Sequence, residues 1–360
     1  MLDESGTKLC NFVPHVDGIV EKEAVCEGKS EVYVNVRLEF YDGYSRIITI
    51  PVEKINQTQW WKEETHCCLN PEISESKVRR YLTNAVRSDL NNAPKKRLYQ
   101  LNRTGMFMIN GEAIFCTGKE TIRSPASKLS EPEIELLKMK QHLEIDPKLS
   151  EAEAVAEMFG FISLSPNAGR VILMHKLIYL MRQAYVDAGA IPQICVYLYG
   201  KTGTNKTTFS SFLLQMYDRS KGIISPLRLN ASRPAVVEML TETYDDTIVL
   251  DDLFPAESAS MRRQQEETLI EITRCIADGI IPAKMRGGKI LKDTLKCGVV
   301  FTGEYLIGGG SDAARLLSVE MEKPDSQKLK YFQDRPLMIS TFYYFLLVCL
   351  FVIMTRLYLC

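Results

Sequence analysis

The feature that most limits the fold is a junction. The apolar run Ile194-Cys195-Val196-Tyr197-Leu198-Tyr199 passes without a break into Gly200-Lys201-Thr202-Gly203-Thr204-Asn205-Lys206-Thr207-Thr208. A short buried strand running straight into a glycine-rich turn and then a helix is built to wrap an anion. Backbone N–H groups of the turn and of the helix N-terminus point inward, where they meet negative charge. Gly200, Lys206 and Thr207 stand in register with the pattern G-x-x-x-x-G-K-[ST], and Asn205 takes the place of the second glycine. Asn is among the non-glycine residues that best tolerate positive φ, so the turn survives the exchange. The expected nucleotide-binding residues are Gly200, Gly203, Thr204, Asn205, Lys206, Thr207 and Thr208. Lys206 is expected at the terminal phosphates as a point charge, and Thr207 on Mg²⁺.

Two further apolar strands end in polar tips. Thr247-Ile248-Val249-Leu250 runs into Asp251-Asp252. A lone Asp-Asp at a strand end is commonly a pair of solvated acids, but after a phosphate loop it reads as a metal site. Asp251 is expected to hold Mg²⁺ through water, and Asp252 to orient the attacking water. Many such ATPases place a glutamate there, one methylene longer than Asp252. Cys297 to Phe301 forms the third strand and ends in Thr302-Gly303-Glu304. Thr302 suits a sensor of the γ-phosphate, with Glu304 second, and a plain strand-ending turn is the competing reading. In open α/β sheets ligands gather at the carboxyl ends of strands, and all three tips fall there.

Between the second and third strands, Ile280 to Arg286 and Lys289 to Leu295 flank Gly287-Gly288, a two-residue turn signal. Lys284, Arg286 and Lys289 cluster at its tip. They can press on a nucleic-acid backbone, although on spacing alone a solvated turn is the stronger reading. Arg315 follows the loop Gly308 to Ala314, and that place in the motif order suits a finger reaching a neighbouring subunit's nucleotide. A surface arginine is the plainer alternative.

The 360 residues, 46% apolar and 25% charged, describe a globular chain of two to three domains rather than a disordered or fibrous one. A net charge of -1 excludes a generally basic protein, so any nucleic-acid surface has to be local. Ten cysteines without a C-x-x-C pair, beside four histidines, assemble no zinc spacing and fit a reducing cytosol. The acidic start Met1-Leu2-Asp3-Glu4 is no secretory signal.

The front region, 1–121, reads as an α+β accessory domain. Its alternating strand Glu31 to Phe40 turns at Asp42-Gly43 into Ser45 to Val52. A helix comes next near Ser76 to Ser88, then strands near Met106 to Ile109 and Ala113 to Thr117. Residues 122–149 read as a linker with one helix inside it, and 150–336 as the ATPase core. The core opens with the capping box Ser150/Glu153 and a second helix from Ala168 to Ala188. Leu337 to Thr355 contains no charged residue. Three readings stand for 337–360: a buried terminal helix, a membrane span close to the length a bilayer requires, or the truncated lid of a longer protein.

From Val34 to Phe345 the order of features resembles the bacterial P-loop family catalogued as the domain of unknown function 927. The resemblance rests on Leu101-Asn102-Arg103-Thr104-Gly105, Gly200 to Thr208, Leu250-Asp251-Asp252, Phe301-Thr302-Gly303-Glu304 and Arg315-Leu316-Leu317. Members occur in replication proteins of phages and mobile elements, and some resemble the minichromosome-maintenance branch of AAA+ helicases. The resemblance implies an α/β P-loop NTPase core of the AAA+/RecA-like three-layer αβα kind behind the α+β domain. It implies ATP and Mg²⁺ as cofactors, single-stranded DNA and copies of the chain in a ring as partners, and a bacterial cytoplasm. It also gives the hairpin Lys284 to Lys289 weight as a DNA contact and makes Arg315 the finger. The expected function is an ATP-dependent DNA helicase or translocase. The alternative is a truncated chain that binds nucleotide without hydrolysing it and serves regulation or interaction. The chain stops 45 residues after Arg315, too short for both a helical lid and a winged-helix module.

Overall fold

The computed structural model describes residues 1–57, 60–62, 64, 66–254, 258–278, 284–286, 289–291, 295–307 and 315–358. For residues 131, 233, 259, 261, 284–286, 289–291 and 354–358 the description is of the backbone. The chain opens with β1 (Phe12–Ala24), β2 (Lys29–Phe40), β3 (Ser45–Pro51), α1 (Glu75–Leu90) and β4 (Lys95–Leu101). Three short strands come next, β5 (Gly105–Ile109), β6 (Glu112–Cys116) and β7 (Thr121–Arg123), and then β8 (Ile134–Leu136). Two compact units result: 1–102 with 128–138, and 103–127 with 139–360.

The first unit holds a five-stranded sheet in the order β3-β2-β1-β4-β8. The expected hairpin at Asp42-Gly43 is present, with Gly43 at φ 84° and Leu38 opposite Arg46. Along β2, Val34, Val36, Leu38 and Phe40 alternate inward, as period two requires, and pack with Phe12 and Trp61. α1 covers them with Val78, Leu82 and Val86, spaced four apart on one face.

Residues 103–121, expected with the front domain, fold into the second unit instead. Met106 and Phe115 of the β5-β6-β7 sheet, with Ile122, are part of its core. The helix expected within 122–149 is absent from the described residues there. Pro132 lies in a single 3-10 turn, Glu131–Glu133, and β8 pairs in parallel with β4; a proline lacks the N–H that a helix interior needs.

The rest of the second unit runs α2 (Glu151–Ile162), α3 (Pro166–Leu180), α4 (Arg182–Asp187), β9 (Cys195–Tyr199), α5 (Lys206–Leu214), β10 (Leu227–Arg228) and α6 (Arg233–Glu242). It continues with β11 (Thr247–Leu253), α7 (Ala259–Asp278), β12 (Lys284–Arg286), β13 (Lys289–Leu291), β14 (Gly298–Gly303), β15 (Leu316–Glu320), α8 (Ser326–Gln333) and α9 (Leu337–Tyr358). The Ser150/Glu153 capping box closes the start of α2 as its sequence requires. The single helix expected over 168–188 is two, because Met181 leaves helical geometry at φ -96° and ψ 13°.

The second unit's main sheet is parallel throughout, in the order β10-β11-β14-β9-β15. Its strands are apolar on both sides, as a sheet covered on both faces requires. Val196 and Leu198 of β9 face one core with Phe161, Phe209 and Phe212 of α2 and α5. Cys195 and Tyr197 face the other with Val236, Leu240, Leu269 and Ile272 of α6 and α7. The unit is therefore a three-layer α/β body. Successive strands leave β9 on opposite sides, β10 and β11 one way and β15 the other. That is the switch point at which such sheets open a crevice.

Of the three readings of 337–355, the packing is that of a buried helix. Met338, Ile339, Phe342, Tyr343, Leu347 and Phe351 of α9 lie in the first of these cores, and Tyr343 Oη donates to Leu213 O at 3.0 Å. Among the described residues no single helix is long and apolar enough to cross a membrane; α8 and Leu337–Ile353, bent by 70°, match a span only as a pair. If α9 is core, Leu347→Ala should destabilise the protein by about 2–5 kcal/mol, the range for emptying a buried leucine site. Urea unfolding checks this, and an unchanged midpoint would contradict the packing.

Candidate functional site

β9 delivers the chain to the phosphate loop, and two backbone constraints shape that loop. Gly200 sits with Met321 O only 2.7 Å from where a Cβ would stand, so no larger residue fits. Asn205 caps α5 in the left-handed region at φ 59° and ψ 26°, the conformation its sequence position demanded. α5 then starts at Lys206.

The side chain of Lys206 is folded back into the loop. Its Nζ donates to Gly200 O at 2.8 Å, Lys201 O at 3.1 Å and Thr204 Oγ1 at 3.1 Å. Desolvation pulls its pKa below that of an ordinary lysine, opposed by the charges of Glu304, Asp251 and Asp252. An ammonium held by neutral oxygens in an acid-lined recess is poised to exchange them for phosphate oxygens.

The acidic tip lies directly opposite. Thr207 Oγ1 donates to Asp251 Oδ1 at 2.6 Å, and Thr302 Oγ1 donates to the same oxygen. Thr302, buried on β14, also accepts from the backbone N–H of Asp252 at 3.3 Å. The reason lies in the strand pairing. Leu250 pairs with Phe301 but Leu253 with Gly303, so β11 carries an extra residue at its tip. Such a bulge re-aims side chains, and here it leaves Asp252 at φ 79°, rare outside glycine.

Asp252 is half-exposed, and its pKa is raised by desolvation first and by the neighbouring Asp251 second. Arg228, at the end of β10, opposes that shift with its Nε 3.9 Å from Asp252 Oδ2. Sequence reading missed Arg228, because a two-residue strand leaves no periodic trace. Thr202 was missed as well; its hydroxyl donates to Glu304 Oε1 at 2.8 Å and links the phosphate loop to the tip of β14.

These groups line one cavity of about 250 Å³, walled by Thr202, Gly203, Asn205, Lys206, Thr207, Thr208, Asp251, Asp252, Thr302, Gly303 and Glu304. Gly200 and Thr204 stand behind it as partners of Lys206. The donors suit a small hard cation: a hydroxyl and a carboxylate oxygen already share one point. No cluster of three His, Cys, Asp or Glu that could hold a metal by itself occurs among the described residues.

Two expected sites lie elsewhere. Arg315 is exposed and precedes Leu316, which pairs with Cys195 at the start of β9. Five residues of strand, roughly 16 Å at 3.3 Å per residue, separate it from the loop end of its own sheet. β12 and β13 do form an antiparallel hairpin, with Arg286 opposite Lys289 and Lys284 opposite Leu291. Gly287 and Gly288 of its turn, and 308–314 before Arg315, lie outside the described residues.

Family models give no match to this sequence, and a search of curated proteins gives none. Among solved structures the chain is similar to the active helicase Cch of SCCmec type IV, at 15% identity and a TM-score of 0.45, over 91% of this chain and 58% of that one. It is similar to the apo NrS-1 C-terminal region at 9% identity and 0.36, covering 92% and 66%. The third is JCV helicase, at 18% and 0.35, covering 57% and 56%. The chain thus spans no more than 66% of the length of any of the three.

The raised pKa of Asp252 has a thermodynamic sign. A carboxyl that ionises less readily folded than unfolded destabilises the fold once pH exceeds its unfolded pKa. Asp252→Asn should therefore raise the melting temperature at neutral pH, with the gain shrinking as pH falls through the carboxylate range. Thermal melts from pH 4 to 8 measure it; a lower melting temperature throughout would contradict this environment for Asp252.

Proposed function

We propose that this chain is an ATP-dependent motor on DNA: an AAA+/RecA-like P-loop ATPase of the helicase or translocase type, from a phage or mobile element. On this reading it belongs with the family of domain of unknown function 927 and works in a bacterial cytoplasm. The observation that carries the proposal is the shared oxygen. Asp251 Oδ1 accepts from Thr207 of the phosphate loop and from Thr302 of the next strand, so all three motif tips meet at one point. The five-strand order, with β14 between the phosphate-loop strand β9 and the acidic strand β11, supports the same class.

Each residue then has a part. The loop N–H groups and Lys206 bind the triphosphate, Lys206 giving up Gly200 O and Lys201 O for phosphate oxygens. Thr207 and Asp251 would hold Mg²⁺, which when bound neutralises charge on the phosphate oxygens. Asp252 orients water and accepts its proton. Its raised pKa makes it a better base than a solvated aspartate, and the charge of Arg228 opposes that rise. Thr302 ties the Asp251 carboxylate to the backbone of Asp252 and reports on the γ-phosphate. Arg315 is too far along its own β-strand to reach this cavity, so its role as a finger requires a second copy, as in a ring. Lys284, Arg286 and Lys289 on the β12-β13 hairpin meet the DNA backbone.

A DNA-stimulated ATPase assay tests the proposal. Wild type with Mg²⁺ and single-stranded DNA should turn over ATP, and Lys206→Ala should lose both nucleotide binding and turnover. Arg315→Ala should keep binding but lose turnover by at least 10²-fold, on the order of an arginine-finger contribution. Tight ATP binding by a monomeric wild type without turnover would instead favour a non-hydrolysing regulatory protein.

A further inference from the structure

The chain is nearly neutral overall, yet one helix of its first unit carries a group of exposed arginines. α1 spans 16 residues, Glu75–Leu90, a rod about 24 Å long. Its inward face is Val78, Leu82 and Val86. Arg80 and Arg87 stand on its outward face and Arg79 on the flank beside the core stripe, all three exposed. Arg80 and Arg87, seven residues apart, stand almost in line along the axis. Lys95 and Lys96, both exposed, come five residues after the helix ends.

The acids of α1 do not share that face. Glu75 is held by Lys62 at 2.6 Å, and Asp89 turns toward the sheet, where its Oδ2 accepts from the N–H of Val16 at 3.3 Å. The neighbouring cations Lys77 and Arg97 are engaged by Asp3 and Glu21. No carboxylate lies within ion-pair distance of Arg79, Arg80 or Arg87 among the described residues, and the guanidinium of Arg80 stands 5.8 Å from the ring of Tyr81. Around the arginines are short hydrogen-bonding side chains, Thr83, Asn84 and Asn91. Arg79 has the charge of Glu75 one turn back, whereas Arg80 and Arg87 have no carboxylate within ion-pair distance among the described residues. Like charges so placed cost free energy, and a polyanion removes that cost.

We infer that the outer face of α1 binds the sugar–phosphate backbone of duplex DNA. Arginines interspersed with Thr and Asn are the side chains that contact phosphate oxygens. Three features select the partner. No large exposed apolar side chain lies between residues 74 and 97, so the face has nothing to insert into a bilayer. Its outermost residues carry no aromatic ring on which an unpaired base would stack, as single-strand binders use. The cations run along a straight rod, which matches a regular line of phosphates better than a short acidic peptide.

This surface deepens the DNA-motor reading by assigning the first unit a duplex-binding role in addition to that of the second unit's hairpin, and it rests on that reading only for the choice of polyanion. The test is a binding titration of the full chain with a fluorescein-labelled 20-base-pair duplex across a salt series, without nucleotide. Arg79→Ala/Arg80→Ala/Arg87→Ala should weaken binding on the order of 10- to 100-fold near 0.1 M salt. It should also flatten the slope of log K against log[salt] by roughly 2 to 3. Arg80→Lys/Arg87→Lys, which keeps the charge, should retain most of the slope. The triple variant's melting temperature and DNA-independent ATP turnover should match wild type, since none of the three residues lies in the core or the cavity. Unchanged duplex binding in the triple variant overturns the inference, as does a loss confined to single-stranded DNA or a preference for phosphatidylserine vesicles over duplex. Lys206→Ala should bind the duplex as wild type does; a wild-type chain that binds the duplex but turns over no ATP fails the motor reading and leaves the α1 surface standing.

Discussion

Two hydroxyls, one from the first turn of α5 and one from the end of β14, converge on a single carboxylate oxygen, and that convergence sets the demands on the rest of the second unit. Thr207 reaches Asp251 only if β9 and β11 run parallel with one strand between them and their ends level. Parallel strands bury both faces, which explains why β9 and β14 are continuous apolar runs and why two separate cores are needed. α2, α3, α5 and α9 fill one of them, and α6 and α7 the other. A one-residue slip of β11 would swap Val249 and Leu250 between the cores and withdraw Asp251 from Thr207 at the same time. The apolar pattern and the polar tip therefore enforce the same register.

The local electrostatics arise from that geometry. Asp251, Asp252 and Glu304 crowd one mouth, with Lys206 and Arg228 as the nearby cations. The acids are held apart by roles rather than distance: Asp251 accepts hydroxyls, Asp252 leans to Arg228, and Glu304 takes the hydroxyl of Thr202. Burial and like charge raise the pKa of Asp252. On the proposed reading a divalent cation would neutralise these acids while Lys206 meets the polyanion.

Much of this was legible in the residues themselves. The apolar strand, the glycines and the lysine at fixed spacing determine a strand–turn–helix whose physics is local, and Asn205 announced its left-handed backbone by type. The Ser150/Glu153 capping box and the Asp42-Gly43 hairpin were equally local. What escaped was non-local. β1 mixes apolar and charged residues over 13 positions, because its ends and middle meet different partners. β10, with Arg228, is only two residues long, and its existence depends on β11. The boundary after 121 misled because β5 to β7 look like more of the front sheet, whereas Met106, Phe115 and Ile122 find their apolar partners in the second unit. Absence of charge in 337–355 could not distinguish lipid from protein as the surrounding medium; contacts such as Tyr343 with Leu213 make that distinction.

One small feature shapes how the loop behaves when filled. Gly200 donates its N–H to Gly303 O at 3.2 Å, while the residue before it accepts from Met321 N at 2.8 Å and the carbonyl of Met321 closes over its Cα. The first residue of the loop is thus laced on both sides to the exits of β14 and β15. It is a seat cut into the sheet's end, not a flap that must be captured. A loop whose first residue is already fixed loses little chain entropy there when it meets a ligand.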